Sequence, residues 1–437
     1  MNRPFFKPAP SRRQMIQSMA AVAGCALLPS SLAFADQAWK PSREDEEFLD
    51  DFERQACLFF WEQGSAHTGQ VLDRARNDLG GAHDPRRMAS IAATGFGLTA
   101  LSIADRRGYL PHAQVIERVK NTLGWHLNTM PEVHGFFFHF TDIETGKRWE
   151  KCELSTIDTS LLLCGILTAK AYFDDPAIKH LAQQIYERVD WPWFLNGGKS
   201  FSMGWHPESG FLASRWNKYC ELMMIYLLAI GSPTHPAPPD AWNAFTRPVM
   251  HYKGLEYISG DDPIFTHQYS QAWYDFRNRR DAYANYFENS VTATRVHKAF
   301  CLSYPQWYSD DYWGISASDS ATGYTAWGGP PAQGDIDGSV VPCAAAGSLP
   351  FLPAECLRVL RAMRSRWGKQ AWGRYGFVDA FHPAANWYDP DVLGIDQGIS
   401  VVMAENLRSG LVWSTFMRNP ESVRAMKLAG FHGQGLD

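Results

Sequence analysis

Beyond position 42, apolar residues recur at helical spacing through almost the whole chain, and alternating Val, Ile and Thr are sparse. That pattern predicts a succession of helices with few strands. Ser42 stands three residues before Asp45 and ahead of Phe48, Leu49, Phe52, Phe59 and Phe60, a helix cap followed by its buried stripe. Ile91, Leu98, Leu101 and Ile103 mark a second helix stopped at Gly108, in which Ala92, Ala93, Gly95 and Gly97 let a neighbour approach closely. A third follows Pro111 through Ile116, Val119, Leu123 and Leu127. The spacing then predicts helices over 156–173, 176–189, 217–230, 267–280, 286–302, 354–367 and 397–417, with short pieces near Trp242 and Glu421. A hairpin is expected over 136–141, with a turn at Thr145-Gly146-Lys147. About twelve helices in sequential pairs, joined by short loops, fit an (α/α)6 toroid, a double ring of antiparallel pairs.

The first 35 residues read differently. Ser11-Arg12-Arg13-Gln14-Met15, an apolar run to Leu28 and Ala33-Phe34-Ala35 form a twin-arginine signal peptide, with Asp36 as the mature start. Cys25, in Val22-Ala23-Gly24-Cys25, is the rival lipoprotein site. The expected destination is the periplasm by way of the twin-arginine export machinery, with a single catalytic domain over 36–437 and no membrane span. Seven later cysteines (Cys57, Cys152, Cys164, Cys220, Cys301, Cys343 and Cys356) are scattered without a C-x-x-C pair, so no disulfide is expected. A net charge of −5 without a Lys/Arg stripe gives no footprint for nucleic acid.

The chain carries 17 Trp, 17 Tyr and 26 Phe, more rings than a core of this size ordinarily uses. Flat apolar faces lining a groove suit the C–H faces of sugars. The long irregular stretch 308–342, with Trp313, Tyr324, Trp327, Asp335 and Asp337, is expected to cover a ligand. Metalloprotease, nucleophile-elbow and phosphate-loop motifs are absent, and no Cys/His cluster has zinc spacing, so neither metal nor cofactor is expected. Carboxylates beside aromatics remain. Glu221 lies in an apolar stretch, Tyr219-Cys220-Glu221-Leu222-Met223-Met224, predicted to be helical. A carboxyl so placed is poorly solvated and tends to hold its proton, as a general acid must; a buried ion pair with Arg215 or Arg277 explains it equally well. Glu153 and Asp158 bracket a helix entrance, where Asp158 can also simply favour the first turn. Asp389, Asp391, Asp396 and Glu405 form a further set around the last long helix. If 267–280 is a helix, His267, Ser270 or Gln271, Tyr274, and Arg277 or Asn278 share one face, a mixed face suited to hydroxyl recognition.

These stretches resemble the bacterial glucoamylase-like proteins, the group containing the β-1,2-glucanases of glycoside hydrolase family 144. The resemblance runs in order through 90–97 (Ser-Ile-Ala-Ala-Thr-Gly-Phe-Gly), 135–140, 153–158 (Glu-Leu-Ser-Thr-Ile-Asp), 229–236, 267–270, 286–290, 344–350 and 394–398 (Gly-Ile-Asp-Gln-Gly). It implies an (α/α)6 toroid and inverting, metal-independent cleavage of β-1,2-glucan, with Glu221 as general acid. Ile399 departs from the family's usual proline, and Cys220 beside Glu221 is a second departure. Relatives include exo-acting and transglycosylating members, so the cleavage mode does not carry over.

The expected mechanism is a single displacement: Glu221 protonates the leaving oxygen, and a carboxylate among Glu153, Asp158 and Asp396 activates water, directly or through a substrate hydroxyl. Trp216, Tyr269, Trp273, Trp327 and Trp387 would stack on sugar rings, while Arg215, His267, Gln268 and Asp337 would hold hydroxyls. Two rivals remain. A polysaccharide lyase would use Tyr269 or His267 as base and want a basic groove; a non-catalytic glycan-binding protein would bind without cleaving.

Overall fold

The computed structural model describes residues 39–437 apart from 261–262 and 329–335. The signal-peptide reading, with Cys25 and Asp36, and Asp335 of the long loop lie outside the described residues. The α-helices are α1 (Arg43–Glu62), α2 (Ile91–Arg107), α3 (His112–Asn128), α4 (Thr156–Tyr172), α5 (Pro176–Glu187), α6 (Trp191–Leu195), α7 (Met223–Gly231), α8 (Tyr286–Cys301), α9 (Pro342–Ala346), α10 (Pro353–Ala371), α11 (Gly394–Arg408), α12 (Leu411–Phe416) and α13 (Pro420–Leu428).

They form two concentric rings. The inner helices are buried nearly all round: residues 91–104 of α2, 156–169 of α4, and the whole of α7 and α9. Such all-round burial marks a helix enclosed by others rather than one at a surface. The inner ring closes on itself: α2 packs on α4, α4 on α7, α9 on α11, and α11 back on α2. Between α7 and α9 the ring is completed by two 3-10 turns, Ile264–His267 and Tyr269–Ala272. Ser270 bonds the α7 entrance, and Gln268 donates to Ala344 O of α9 at 2.9 Å. The outer helices α1, α3, α5, α8, α10 and α13 each bury one stripe against this ring or its connections. The chain is therefore an all-α toroid. Its many strands are two to four residues long and lie in the connections.

The sequence features that build this ring are specific. Ser42 and Asp45 cap α1 reciprocally. α2 and α4 cross almost in contact, because a Cβ on Gly95 would meet Leu161 O at 2.2 Å and one on Gly165 would meet Gly95 O at 2.0 Å. All seven described cysteines are free, and six of them are buried. Among the described residues no helix is long and apolar enough to cross a membrane.

Several sequence-based expectations are corrected. The helix expected over 397–417 is two, α11 and α12, divided at Gly410 with its φ of 66°, and the one expected over 217–230 begins only at Met223. Segment 267–280 is not a helix: Gln268, Ser270 and Gln271 each bond a neighbouring element, and these struts hold short 3-10 turns. The 136–141 stretch does not fold back on itself: Phe136–Phe137 pairs with Glu132–Val133, and Phe140–Asp142 with Met88–Ser90. Given the α2–α4 contact, Gly165→Ala should destabilise the protein by ~1–3 kcal/mol. A urea melt checks this, and an unchanged midpoint would contradict the packing described.

Candidate active site

Each inner helix is reached through an outer helix that runs the other way, so inner N-termini gather at one end of the ring. Three of them are built alike. A short strand ends on an extended residue and turns directly into helix: Ser90 into α2 (φ −112°, ψ 129°), Ser155 into α4 (φ −112°, ψ 124°) and Leu393 into α11 (φ −99°, ψ 135°). The strands cross-link the entrances. Met88–Ser90 pairs with Val71–Leu72 and Phe140–Asp142, Leu154–Ser155 with Gly204–His206, and Asp391–Leu393 with Arg74–Arg76. Helix N-termini favour negative charge, and this end of the ring is where the acids collect.

At the α4 entrance, Ser155 Oγ accepts the Asp158 N–H at 3.0 Å and bonds the Asp158 carboxylate in turn. Asp158 therefore does serve the first turn. It also faces His139, whose Nε2 lies 3.5 Å from Asp158 Oδ2 and whose Nδ1 lies 3.3 Å from Glu153 Oε1. All three side chains are buried. Their possible ligand atoms lie within 4.8 Å of one another, the spacing of a metal site. The imidazole presents a different nitrogen to each carboxylate, so the ring bridges the two acids rather than offering one nitrogen to a point they share. His139 backbone bonds to Ile91 and Glu153 join this trio to the α2 entrance.

Glu221 is buried, but it is not inside a helix as the sequence suggested. It occupies the turn before α7. Leu222 at the N-cap offers no capping oxygen, and Ser270 substitutes for one. Its Oγ accepts the Met224 N–H at 3.1 Å and donates to Glu221 O at 2.8 Å. Trp216 Nε1 donates to Thr156 Oγ1 at 2.9 Å, so the segment leading to Glu221 is bonded to the α4 entrance. The two arginines proposed as partners are engaged elsewhere: Arg215 donates to the carbonyls of Leu195 and Ser200, and Arg277 pairs with Asp275 at 2.9 Å.

At the α11 entrance, Asp396 lies in the first turn and is buried. Asp389 and Asp391, grouped with it in sequence, stand nearby, together with three acids that the sequence did not bring together: Asp73, Asp319 and Asp379. Arg74 bonds Asp73 and Asp319, and Arg86 bonds Asp391 through its two terminal guanidinium nitrogens at 2.6 and 2.9 Å. Asp319, Asp389 and Asp391 form a second group of metal-like spacing, with these two guanidiniums beside it. Burial, with Asp319 nearby, raises Asp389 to about 7. Glu405, grouped with these acids in sequence, sits far along α11 and pairs with Arg107 at 2.8 Å.

The proposed sugar-contacting residues divide. Trp216, Tyr269 and Trp273 are under 2% exposed and belong to the core, Trp273 Nε1 donating to Thr99. Trp327 is also buried, and of the five rings only Trp387, on the strand Trp387–Tyr388, keeps a partly exposed face. Gln268 spends its amide on Ala344 and Ser348, and Asp337 accepts the Ser339 N–H at 2.7 Å. His267 lies between Tyr219 and Ser259. Burial, with His297 nearby, lowers His267 to about 3, so it is a neutral imidazole over the ordinary pH range.

Comparison with known proteins agrees with this architecture. The family model described as "Putative glucoamylase" matches residues 213–420. The exo β-1,2-glucooligosaccharide sophorohydrolase (non-reducing end) of Parabacteroides distasonis is 28% identical over 428 residues, covering 88% of this chain. The chain is homologous to the bacterial glycoamylase-like proteins and β-1,2-glucanases. It spans 58% of the length of that curated relative. Among solved structures of the group, a "putative glucoamylase" of Bacteroides uniformis superposes with a TM-score of 0.83 at 26% identity, over 91% of this chain and 100% of that one. The endo-β-1,2-glucanase of Chitinophaga pinensis, in complex with sophorotriose and glucose, superposes with a TM-score of 0.80 at 27% identity, over 89% and 98%.

The raised Asp389 has a consequence for stability. Its folded form binds a proton more tightly than its unfolded form, so its contribution is complete below the ordinary carboxyl range and falls as pH rises toward 7. Asp389→Asn keeps the oxygen that accepts the Asp391 N–H. It should reduce the decline in urea midpoint between about pH 4 and 7; the same decline in both proteins would show that Asp389 does not titrate there.

Proposed function

We propose that the chain is a glycoside hydrolase that cleaves β-1,2-linked glucan by inversion, with Glu221 as general acid. The observation carrying this reading is the gathering of buried carboxyls at one end of the inner ring: Glu221 before α7, Glu153 and Asp158 at α4, and Asp396 at α11. An inverting hydrolase needs two such groups on opposite sides of a sugar linkage, about 6.5–9.5 Å apart to admit water. The names of two relatives, an endo-β-1,2-glucanase and an exo β-1,2-glucooligosaccharide sophorohydrolase, supply the linkage. They differ in cleavage mode, so the proposal stops at the linkage.

Glu221 is assigned the acid because its apolar surroundings suit a carboxyl that must carry a proton. Asp396 is the preferred partner for water: the first turn of α11 favours its anionic form. Glu153 and Asp158, bridged by His139, are assigned to holding substrate hydroxyls. Trp387 is the ring best placed to stack on a sugar. Acids outnumber the two arginines around Asp396, which suits a neutral glucan and not the uronate that a lyase would bind.

Residues 36–437 are proposed to form one catalytic unit, carried to the periplasm by the twin-arginine segment. Replacing Arg12 and Arg13 by lysine should retain the protein in the cytoplasm; normal appearance in a periplasmic extract would refute that route.

Product analysis on linear β-1,2-glucan, with starch and β-1,3-glucan alongside, tests the activity. New reducing ends are expected from β-1,2-glucan and none from starch. Glu221→Gln should lower kcat by about 10²–10⁴-fold. A variant that cleaves at the wild-type rate removes Glu221 from the mechanism.

A further inference from the structure

A cavity of about 220 Å³ lies apart from the acids, between the connection 305–312, the last turns of α10 and the hairpin that carries Trp387. Rings and donors line it: Trp307, Tyr308, Tyr312, Trp367, Gln306 and His382. Among the described residues no carboxylate lines it, in contrast to the α11 entrance. The single guanidinium there, Arg366, is exposed and lies over the Trp367 ring at 5.2 Å, which makes no cradle for an anion. The size admits one sugar ring and falls short of the roughly 300 Å³ at which pockets for larger ligands begin.

The walls are held in place. Tyr308 OH donates to Ser339 O at 2.8 Å and Tyr312 OH to Gly338 O at 3.2 Å, which pins residues 338–339 to the connection. Gly338 has a φ of 100°, and a Cβ there would meet Trp307 Cδ1 at 2.7 Å and His382 Cε1 at 3.3 Å. Only a glycine lets these two side chains close on the backbone. Tyr304 lies near-parallel to Trp307, centroids 5.9 Å apart, and Trp307 stays half-buried with the cavity beside it. His382 Nδ1 accepts the Ala385 N–H at 3.3 Å, which leaves Nε2–H as the ring's donor.

Strand pairing ties the cavity to the candidate site. His382 stands directly opposite Trp387, and opposed residues of an antiparallel pair point to one face. Trp387 is the ring assigned above to stacking on a sugar. The hairpin also springs from the acids: Asp379 lies three residues before His382 and Asp389 two after Trp387, at most about 11 and 7 Å of chain. A chain of a few sugars that touches Trp387 therefore reaches the cavity.

We propose that this cavity is a subsite for a glucosyl unit remote from the bond that is cleaved, with Trp307 stacking on the sugar's C–H face and His382 Nε2 donating to a hydroxyl. This rests on the β-1,2-glucan reading above.

Kinetics on linear β-1,2-gluco-oligosaccharides of increasing length test the assignment. Trp307→Ala should raise KM for long chains about tenfold with kcat little changed. The penalty should shrink as the substrate becomes too short to span both the cleaved bond and the cavity. Trp307→Phe keeps a flat ring and should recover most of the loss. His382→Asn keeps an acceptor for the Ala385 N–H but lacks the Nε2 donor, and should raise KM about fivefold with the same dependence on length. A purely structural role would impair short and long substrates alike. A penalty equal at every length, none at any length, or a Trp307→Phe variant as impaired as the alanine one would overturn the inference. If the wild type cleaves β-1,2-glucan while these results fail, only the subsite falls; if the wild type leaves that polymer uncut, the substrate reading and the subsite fall together.

Discussion

The common direction of the inner helices is the constraint on which the rest depends. A ring of helices running the same way collects all its N-termini at one end and its C-termini at the other. Each N-terminus carries unsatisfied N–H groups and a partial positive charge. The end where these converge can hold carboxylates that the core would otherwise expel. Asp158 in the first turn of α4 and Asp396 in that of α11 are direct cases. The short strands that precede α2, α4 and α11 add cross-links between entrances, which fix the acids relative to one another without lengthening the helices.

The opposite end shows the complementary solution. Arg107 lies in the last turn of α2 and Arg408 in that of α11, where cations suit the negative helix end. They pair with the buried Glu53 of α1 and Glu405 of α11: Arg408 bonds Glu53, and Arg107 bonds Glu405. Glu53 is held well above the ordinary carboxyl range, first by burial and then by Glu405. α11 thus begins on Asp396 and ends on Arg408. Two acids fewer than ten residues apart on this helix, Asp396 and Glu405, belong to opposite ends of the toroid, and only one of them lies near the candidate site.

Much of the ring was legible in the sequence because its signals are local. The Ser42–Asp45 cap, the 3.6-residue stripes and the small residues of α2 all act within a few positions. What escaped was set by contacts between distant segments. The apolar run around Glu221 reads as one helix, yet the helix begins two residues later, at a point capped by Ser270 from another segment. The polar residues of 267–280 read as one face of a helix, whereas Ser270 and Gln271 of that face, and Gln268 beside it, are struts to neighbouring elements. Of the candidate site, Glu221, Glu153, Asp158 and Asp396 were named from their settings in the chain together with the family resemblance. Asp73, Asp319 and Asp379 were not, because nothing in spacing or periodicity links residues so far apart. The pairing of Arg74–Arg76 with Asp391–Leu393 brings them together, and that register has no local signature.

The acid end of the ring also bears on what kind of polymer it can accept. Asp73, Asp319, Asp379, Asp389, Asp391 and Asp396 surround two arginines, both already engaged with carboxylates. A polyuronate would bring further negative charge into a buried region that has no free cation to meet it among the described residues, a costly arrangement at low dielectric. A neutral glucan brings only hydroxyls, which can donate to carboxylates. The residues named as possible lyase bases agree with this. His267 and Tyr269 are sealed into the inner ring, where a base could not reach a sugar C–H without the ring opening.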